Sequence, residues 1–471
     1  MKKNILLSLI ATCFACLLMS GCGEKEEYND TIILRVANWE EYIDLGDWDE
    51  DELIELDDGT VIFGENSLVD DFENWFYEEY GKKIKVEYST FGTCEELYNQ
   101  LTIGDVYDVA SPSEYMIMKM QREGMLVPYS DEFKDQTNEN NYYTRNVSPY
   151  IQYRLDSFPV VDGVLSDYAS CYMWGTLGLV YNPLEVTEEE AAHWDLLLNK
   201  KFDKRITVKD SVRDAYFGAI ASTYYDEITS EEFLTSPNYA DKLSEALNRT
   251  DVDTVKLVEE TLTRTKENVY SFETDSGKSD LVIGRVVACE QWSGDAVYTM
   301  DQADEDGIEL CYSAPSEGTN LWFDGWILLK SGLENDPEKQ MAAEAWVNFL
   351  SMPENAIRNM YYIGYTSAIS GGDSDVIFEY LNWNYGAEDD EEDTVDYPVG
   401  WFFDMDDPEA DSYYTITTTE DQTRRQLYAQ YPTKDVVDRS VVMACFDDES
   451  NSRINRMWTN VRCFNLSNLF N

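Results

Sequence analysis

The sequence predicts an α/β protein of more than one domain, its first unit built on a largely parallel sheet. Two observations carry the sheet: an apolar β-type run at 31–38 is followed by a helical pattern and a second, alternating strand at 83–89, and the strand, helix, strand order then repeats. A third sets the domain count, because 471 residues are too many for one hydrophobic core.

Residues 31–38 are rich in Ile, Leu and Val, as a buried strand requires. Leu68, Phe72, Trp75 and Phe76 then share one helical face, with Gly81 placed to stop that helix. The next helix opens with Thr93 and Glu96 at capping-box spacing. A strand around 107–110 runs into Ser111-Pro112-Ser113 before a further helix. In such sheets ligands bind at the carboxyl ends of the strands, where Trp39 and Ser113 fall. Residues 172–183 read as a strand leaving the first domain, followed by a second α/β region to about Ser316. The helix at 342–350 and the Ile363-Gly364-Tyr365 loop read as a return. The acidic stretches 47–58 and 388–393 read as insertions or surface loops. Asp47, Asp49 and Asp51 have the opening spacing of a calcium loop, but Glu52 stands where that loop needs Gly, so no metal is expected there.

The amino terminus is a targeting segment. Lys2 and Lys3 precede an apolar run at 5–19 that ends in Leu-Met-Ser-Gly-Cys22, the pattern of a bacterial lipoprotein signal. The expectation is a leader at 1–21, a lipidated Cys22, and a polar tether at 22–30 that holds the protein on the outer face of the cytoplasmic membrane or in the periplasm. No later stretch is apolar for long enough to span a bilayer.

With 35 basic and 93 acidic residues the formal charge is −58, which repels nucleic acid and anionic lipid and attracts cations. Apart from the leader and Cys22, six cysteines remain, Cys94, Cys171, Cys289, Cys311, Cys445 and Cys463, without a Cys-x-x-Cys spacing and with no readable connectivity. A histidine zinc site or Ser-His-Asp triad would have to run through His193, the one histidine, in a segment that reads as a helical surface.

Four aromatic-plus-acid clusters stand out: Asn38-Trp39-Glu40-Glu41-Tyr42, Ser113-Glu114-Tyr115, Trp292-Ser293-Gly294-Asp295 and Trp322-Phe323-Asp324. Each alone reads as core packing beside a surface acid. Taken in order on one α/β scaffold, they resemble the spermidine/putrescine-binding family, the extracytoplasmic polyamine-binding proteins of ABC transporters. The resemblance covers 31–92, 108–127 with Met120-Gln121-Arg122-Glu123-Gly124-Met125, the Trp174-Gly175 strand, 210–216, 292–296, 317–324, 363–366 and 454–461.

That resemblance implies a two-lobed, periplasmic-binding-protein-like fold of type II, with a ligand cleft between lobes joined by crossover hinge strands near Leu177 and Leu321. Lobe 1 would comprise 31–177 plus 321–370, and lobe 2 would comprise 178–320 plus 371–471. The implied function is non-catalytic: a cofactor-free monomer that captures putrescine or spermidine and delivers it to an ABC transporter permease. Trp39, Tyr42, Ser113, Tyr115, Trp292, Trp322 and Tyr365 would wall the cleft, while Asp214 and Asp324 would take ammonium groups. Three positions depart from or subdivide the pattern. Ser211 stands where several spermidine binders carry a second acid, Glu40 stands where Thr or Ser is common, and Asp295 matches the putrescine-preferring branch. A further polar partner is expected near Asp447.

The residue types suit that ligand chemistry. A polyamine is a methylene chain punctuated by positive charges, so its receptor needs flat apolar faces and carboxylates. Aromatic faces contribute about 0.5 to 2 kcal/mol per ammonium, and four buried methylenes roughly 3 kcal/mol. Micromolar binding needs about 8 kcal/mol net of association costs, so charge-assisted hydrogen bonds to carboxylates must supply the rest. Two alternatives stay open from the residues alone: a receptor for another cationic or sugar ligand, and a surface glycoside hydrolase using paired carboxylates with aromatic subsites.

Overall fold

The computed structural model describes residues 31–49, 52–388, 391 and 393–463. The expected leader, lipidated Cys22 and tether lie outside the described residues, as does Asp51.

One sheet runs through the whole molecule. The eight strands along its main path are β1 (Thr31–Trp39), β2 (Lys83–Phe91), β3 (Val109–Ala110), β4 (Ala169–Tyr181), β5 (Ile206–Lys209), β6 (Ser271–Glu273), β7 (Ala288–Trp292) and β8 (Thr319–Leu329), in the order β6-β5-β7-β4-β8-β3-β1-β2, and four short strands pair beside this path. At one end β1 runs parallel to β2 and β3, and at the other β5 runs parallel to β6 and β7. Between these halves β4 lies antiparallel to β8 over its first part and antiparallel to β7 over its second. Every residue of β4 and of β8 is buried, which is why both read as continuous apolar runs rather than alternating strands.

The first half follows the sequence closely. Helix α1 (Leu68–Tyr80) buries Leu68, Phe72 and Phe76, and Gly81 ends it in the left-handed conformation at φ 64°. Helix α2 (Cys94–Ile103) is capped by Thr93, whose side chain accepts from the Glu96 amide at 3.1 Å. Helix α3 (Glu114–Arg122) starts directly after Ser113. The acidic stretch near residue 50 is more than a loop: Ile54–Glu55 and Val61–Ile62 pair as a hairpin that buries Trp48, Ile54, Leu56 and Ile62.

Packing corrects one expected boundary. Residues 371–471 were expected to belong to the second lobe, yet Val376, Tyr380, Trp401, Phe402, Ile416 and Tyr431 join the core of the first half. Trp174 of β4 meets Phe402 with ring centroids 5.8 Å apart and Trp401 at 5.8 Å, so this segment covers the first half-sheet. Only from about Val441 do its residues join the second core, through Met443, Phe446, Ile454, Met457 and Val461. The chain therefore crosses between the halves a third time. Between these stretches, Leu427 packs in the first core while Ala429 packs in a smaller cluster with Met300, and Arg425 pairs with Asp304 at 2.5 Å. An aromatic run such as Trp401-Phe402-Phe403 announces burial without naming the core it enters.

Phe402 is fully buried between Trp174 and Tyr431. Phe402→Ala is expected to cost about 3 to 5 kcal/mol of stability in urea unfolding of the full chain; a loss below about 1 kcal/mol would contradict this packing.

Candidate functional site

The cleft residues sit where the sheet ends. Trp39 closes β1, Ser113 follows β3, Trp292 closes β7, and Asp324 lies at an irregularity of β8 between Asp324 and Gly325. Ser113 and Asp324 form an isolated bridge across that point.

Asp324 is the centre of the first lobe's share. It accepts hydrogen bonds from the Ser113 hydroxyl at 2.7 Å and from the Tyr42 hydroxyl at 2.8 Å, and among the described residues it has no ion pair. Burial pushes its pKa up to about 6. Around it, Tyr42 stands edge-on to Tyr365 at 5.1 Å, and Tyr365 meets Trp322 at 5.8 Å. The indole N–H groups of Trp39 and Trp322 are buried without a hydrogen-bond partner. Glycines make this wall possible. A Cβ on Gly175 would collide with Ser293 and with the Trp322 ring at 2.6 Å, and one on Gly294 would overlap the Tyr365 ring.

The second lobe's share is centred on Asp295, in the first turn of α4 (Ser293–Glu305). Its carboxylate is already paired. Lys209, at the end of β5 and 2% exposed, places its ammonium 2.8 Å from Asp295 Oδ2 and 4.3 Å from the centre of the Trp292 ring. Lys278 approaches Oδ1 at 3.4 Å, and the Tyr365 hydroxyl, from the other lobe, donates to it at 2.9 Å. Burial acts to raise the Asp295 pKa, but the two ammonium groups outweigh it and leave it below the usual carboxylate range. Asp214 accepts from the Trp292 indole N–H at 3.3 Å, and burial holds its pKa above normal. Ser211 caps the helix Val212–Thr223 that carries Asp214, accepting from the Asp214 amide at 3.4 Å.

The structure thus brings Tyr42, Ser113, Trp322, Asp324 and Tyr365 together, with Trp39 at the adjoining strand end, and sets Asp295, Trp292 and Asp214 in a second group joined to the first by Tyr365. Four residues stand apart. Glu40 is exposed, Asp447 caps the last helix by accepting from the Ser450 amide at 2.7 Å, and Asp210 pairs with Arg462 at 2.6 Å. Tyr115 turns to the edge, where its hydroxyl donates to Glu95 at 3.2 Å and its ring carries the Arg213 guanidinium at 4.1 Å. There it borders a cavity of about 410 Å³, also lined by Tyr98, Tyr216, Phe446 and Asp448, which reaches none of the other expected site residues. His193 lies at the surface, 3.3 Å from Glu317.

Sequence reasoning missed Lys209 and Glu290, and it named Glu114 within a cluster without giving it a role. Lys209 could have been found as a charged residue ending a parallel strand, the place where such sheets present ligand-facing groups. Glu290, wholly buried on β7, accepts from the Lys209 amide at 3.0 Å and has its other oxygen unpaired. Burial pushes Glu290 and Glu114 each up to about 8. Among the described residues no group of His, Cys, Asp and Glu could hold a metal ion, and no helix is long and apolar enough to cross a membrane.

Residues 67–376 match the family described as bacterial extracellular solute-binding protein. The chain belongs to that family. This solute-binding protein is 25% identical over 305 residues to the spermidine/putrescine-binding periplasmic protein of Salmonella typhimurium, covering 62% of this chain and 76% of the relative. It is 25% identical over 358 residues to a putrescine-binding periplasmic protein of Pseudomonas aeruginosa, covering 73% and 80%. Among solved structures, the spermidine/putrescine ABC transporter substrate-binding protein of Streptococcus pneumoniae superposes with a TM-score of 0.59 at 23% identity, over 92% of this chain and 98% of that one. A lipoprotein of Treponema pallidum reaches 0.59 at 15% identity, over 91% and 99%. These likenesses bear on the fold, which is the two-lobed type II architecture expected from the sequence.

The buried acids predict a pH dependence. A carboxyl whose pKa is raised on folding holds its proton more tightly in the native state, so its contribution to stability is complete below about pH 4.5 and is lost as pH climbs through its folded pKa. For Glu290 that window runs from the ordinary value of 4.5 to about 8. Glu290→Gln is therefore expected to flatten the fall in unfolding free energy between about pH 5 and 8, measured by urea denaturation. A variant whose stability falls as steeply as that of the wild type would contradict it.

Proposed function

We propose that this solute-binding protein captures a polyamine, putrescine or spermidine, outside the cytoplasm and passes it to the permease of an ABC transporter. The observation that carries the reading is Asp324: a buried carboxylate with hydroxyl donors, aromatic walls and, among the described residues, no cationic partner. Leaving such a group ionised and unpaired is costly, and an ammonium supplied by a ligand removes that cost. The tyrosine and tryptophan faces beside it suit the methylene chain that follows the ammonium. Asp214, buried and also without an ion pair among the described residues, supplies a second anionic contact. The names of the relatives point the same way.

In this reading the protein acts as a monomer without catalysis, held at the membrane by lipid on Cys22. The lobes close about the crossings near Leu177 and Leu321, which face each other across the antiparallel pair as Leu321 opposite Thr176. Tyr365 of the first lobe docks on Asp295 of the second in the closed form.

Calorimetric titration of the full chain in detergent with putrescine, spermidine and spermine should give micromolar or tighter binding of at least one amine without turnover. Asp324→Asn should weaken it by on the order of a hundredfold, because the mutant leaves a buried ammonium without its counter-charge. No heat with any amine would sink the reading, and turnover of glycosides would replace it with the hydrolase. Small-angle scattering should register compaction on adding the amine. Gly294→Ala tests the wall separately. Gly294 lies in the first turn of α4, where an added Cβ meets the Tyr365 ring, so overpacking should cost about 1 to 3 kcal/mol of stability and displacement of Tyr365 about tenfold in affinity, roughly 1.4 kcal/mol. An unchanged affinity would remove Tyr365 from the site.

A further inference from the structure

The second lobe's cage is built like an ammonium site and is filled by the protein itself. Trp292 offers its face, Asp295 its carboxylate and Tyr365 its hydroxyl, and the Lys209 ammonium sits among them at 4.3 Å from the ring and 2.8 Å from Oδ2. A second hydrogen bond of that ammonium runs to the Thr274 carbonyl at 3.1 Å. Lys209 is 2% exposed, so it cannot swing into solvent without opening the cage. At the other end of the cleft, Asp324 has the same kind of surroundings, aromatic faces and hydroxyls, and no cation pairs with it among the described residues. The two ends therefore differ in one respect: one carboxylate is answered internally and one is left for the ligand.

We propose that Lys209 sets ligand choice by occupying the Trp292, Asp295 and Tyr365 cage, so that the site takes a diamine and rejects the third ammonium of a triamine. The inference rests on the polyamine reading above. Its physical basis is exclusion as much as attraction. A ligand ammonium entering the cage would meet a fixed like charge and find its carboxylate already neutralised, and discrimination between similar ligands is commonly built from such a repulsive element. Lys278 bridges Asp275 at 2.6 Å and Asp295 Oδ1 at 3.4 Å, so its longer contact stays when Lys209 is removed and Oδ2 is the oxygen freed for a ligand.

The test is the ratio of spermidine to putrescine affinity, measured by calorimetry on the full chain in detergent. Wild type should prefer putrescine. Lys209→Met should shift the ratio at least tenfold toward spermidine, and the gain should vanish in Lys209→Met combined with Asp295→Asn, where no carboxylate remains to take the third ammonium. Lys209→Gln keeps an N–H donor for Asp295 without the charge, so it carries the same test if the methionine variant unfolds. A lysine that served only to hold Asp295 in place would change stability and leave the ratio within about twofold in every variant. That result, a gain that survives in the double variant, or a wild type that prefers spermidine would each overturn the inference while leaving the receptor reading intact. Absence of any amine binding in wild type would overturn both.

Discussion

The molecule depends on one pairing, that of β4 with β8 on one edge and with β7 on the other. A single strand that serves two half-sheets must be buried along its whole length, and the thirteen residues of Ala169–Tyr181 are. This fixes the carboxyl ends of the flanking strands relative to each other, so Trp292, Trp322 and Asp324 reach one cleft from strands that belong to different lobes. Register is strict here. A slip of one residue in β8 would turn Asp324 to the opposite face and exchange it for Phe323 or Gly325. Gly175 belongs to the same constraint: opposite Trp322 on the neighbouring strand, it leaves the space that the indole fills.

Charge separates two kinds of buried acid in this very acidic chain. Asp44 is wholly buried and pairs with Arg358, whose guanidinium also reaches Asp71 at 2.7 Å. That arrangement ties the segment after β1 to the helix at Pro353–Ile363 and calls for no external cation. Asp324, Asp214, Glu114 and Glu290 are buried with no ion pair among the described residues, and burial raises all four pKa values. Most of the 93 acidic residues are solvated and say little about function. These four say more, because buried carboxyls with raised pKa values and no ion pair cluster at functional sites.

Local pattern made much of this legible. The first strands, the capped helices and the Gly81 stop follow from periodicity and capping chemistry, and Trp39 and Ser113 were placed at strand ends by the topology that those elements imply. Asp324 with Tyr42 and Ser113 came from the resemblance and met in space. What escaped the sequence was partnering over long distances. Nothing in Trp401-Phe402-Phe403 says that it covers Trp174, more than two hundred residues earlier, and nothing in Ile206-Thr207-Val208-Lys209 says that its lysine bends over Trp292. Glu40, Tyr115 and Asp447 fit the linear pattern but answer to other local demands: solvent, the Arg213 stack and a helix cap.

Tyr365 links the two ends of the cleft. Its ring packs against Tyr42 and Trp322 of its own lobe while its hydroxyl bonds Asp295 of the other. That bond needs Asp295 ionised and accepting, and the neighbouring Lys209 and Lys278 ammonium groups favour that charged form against burial. Lys209 meets the requirement without a ligand, so the lobes can touch through Tyr365 before any solute arrives. The closed contact and the unanswered charge are then held by different carboxylates. In the proposed reading Asp295 keeps the lobes in reach of each other, while Asp324, which has no ion pair among the described residues, awaits the ligand cation that favours closure.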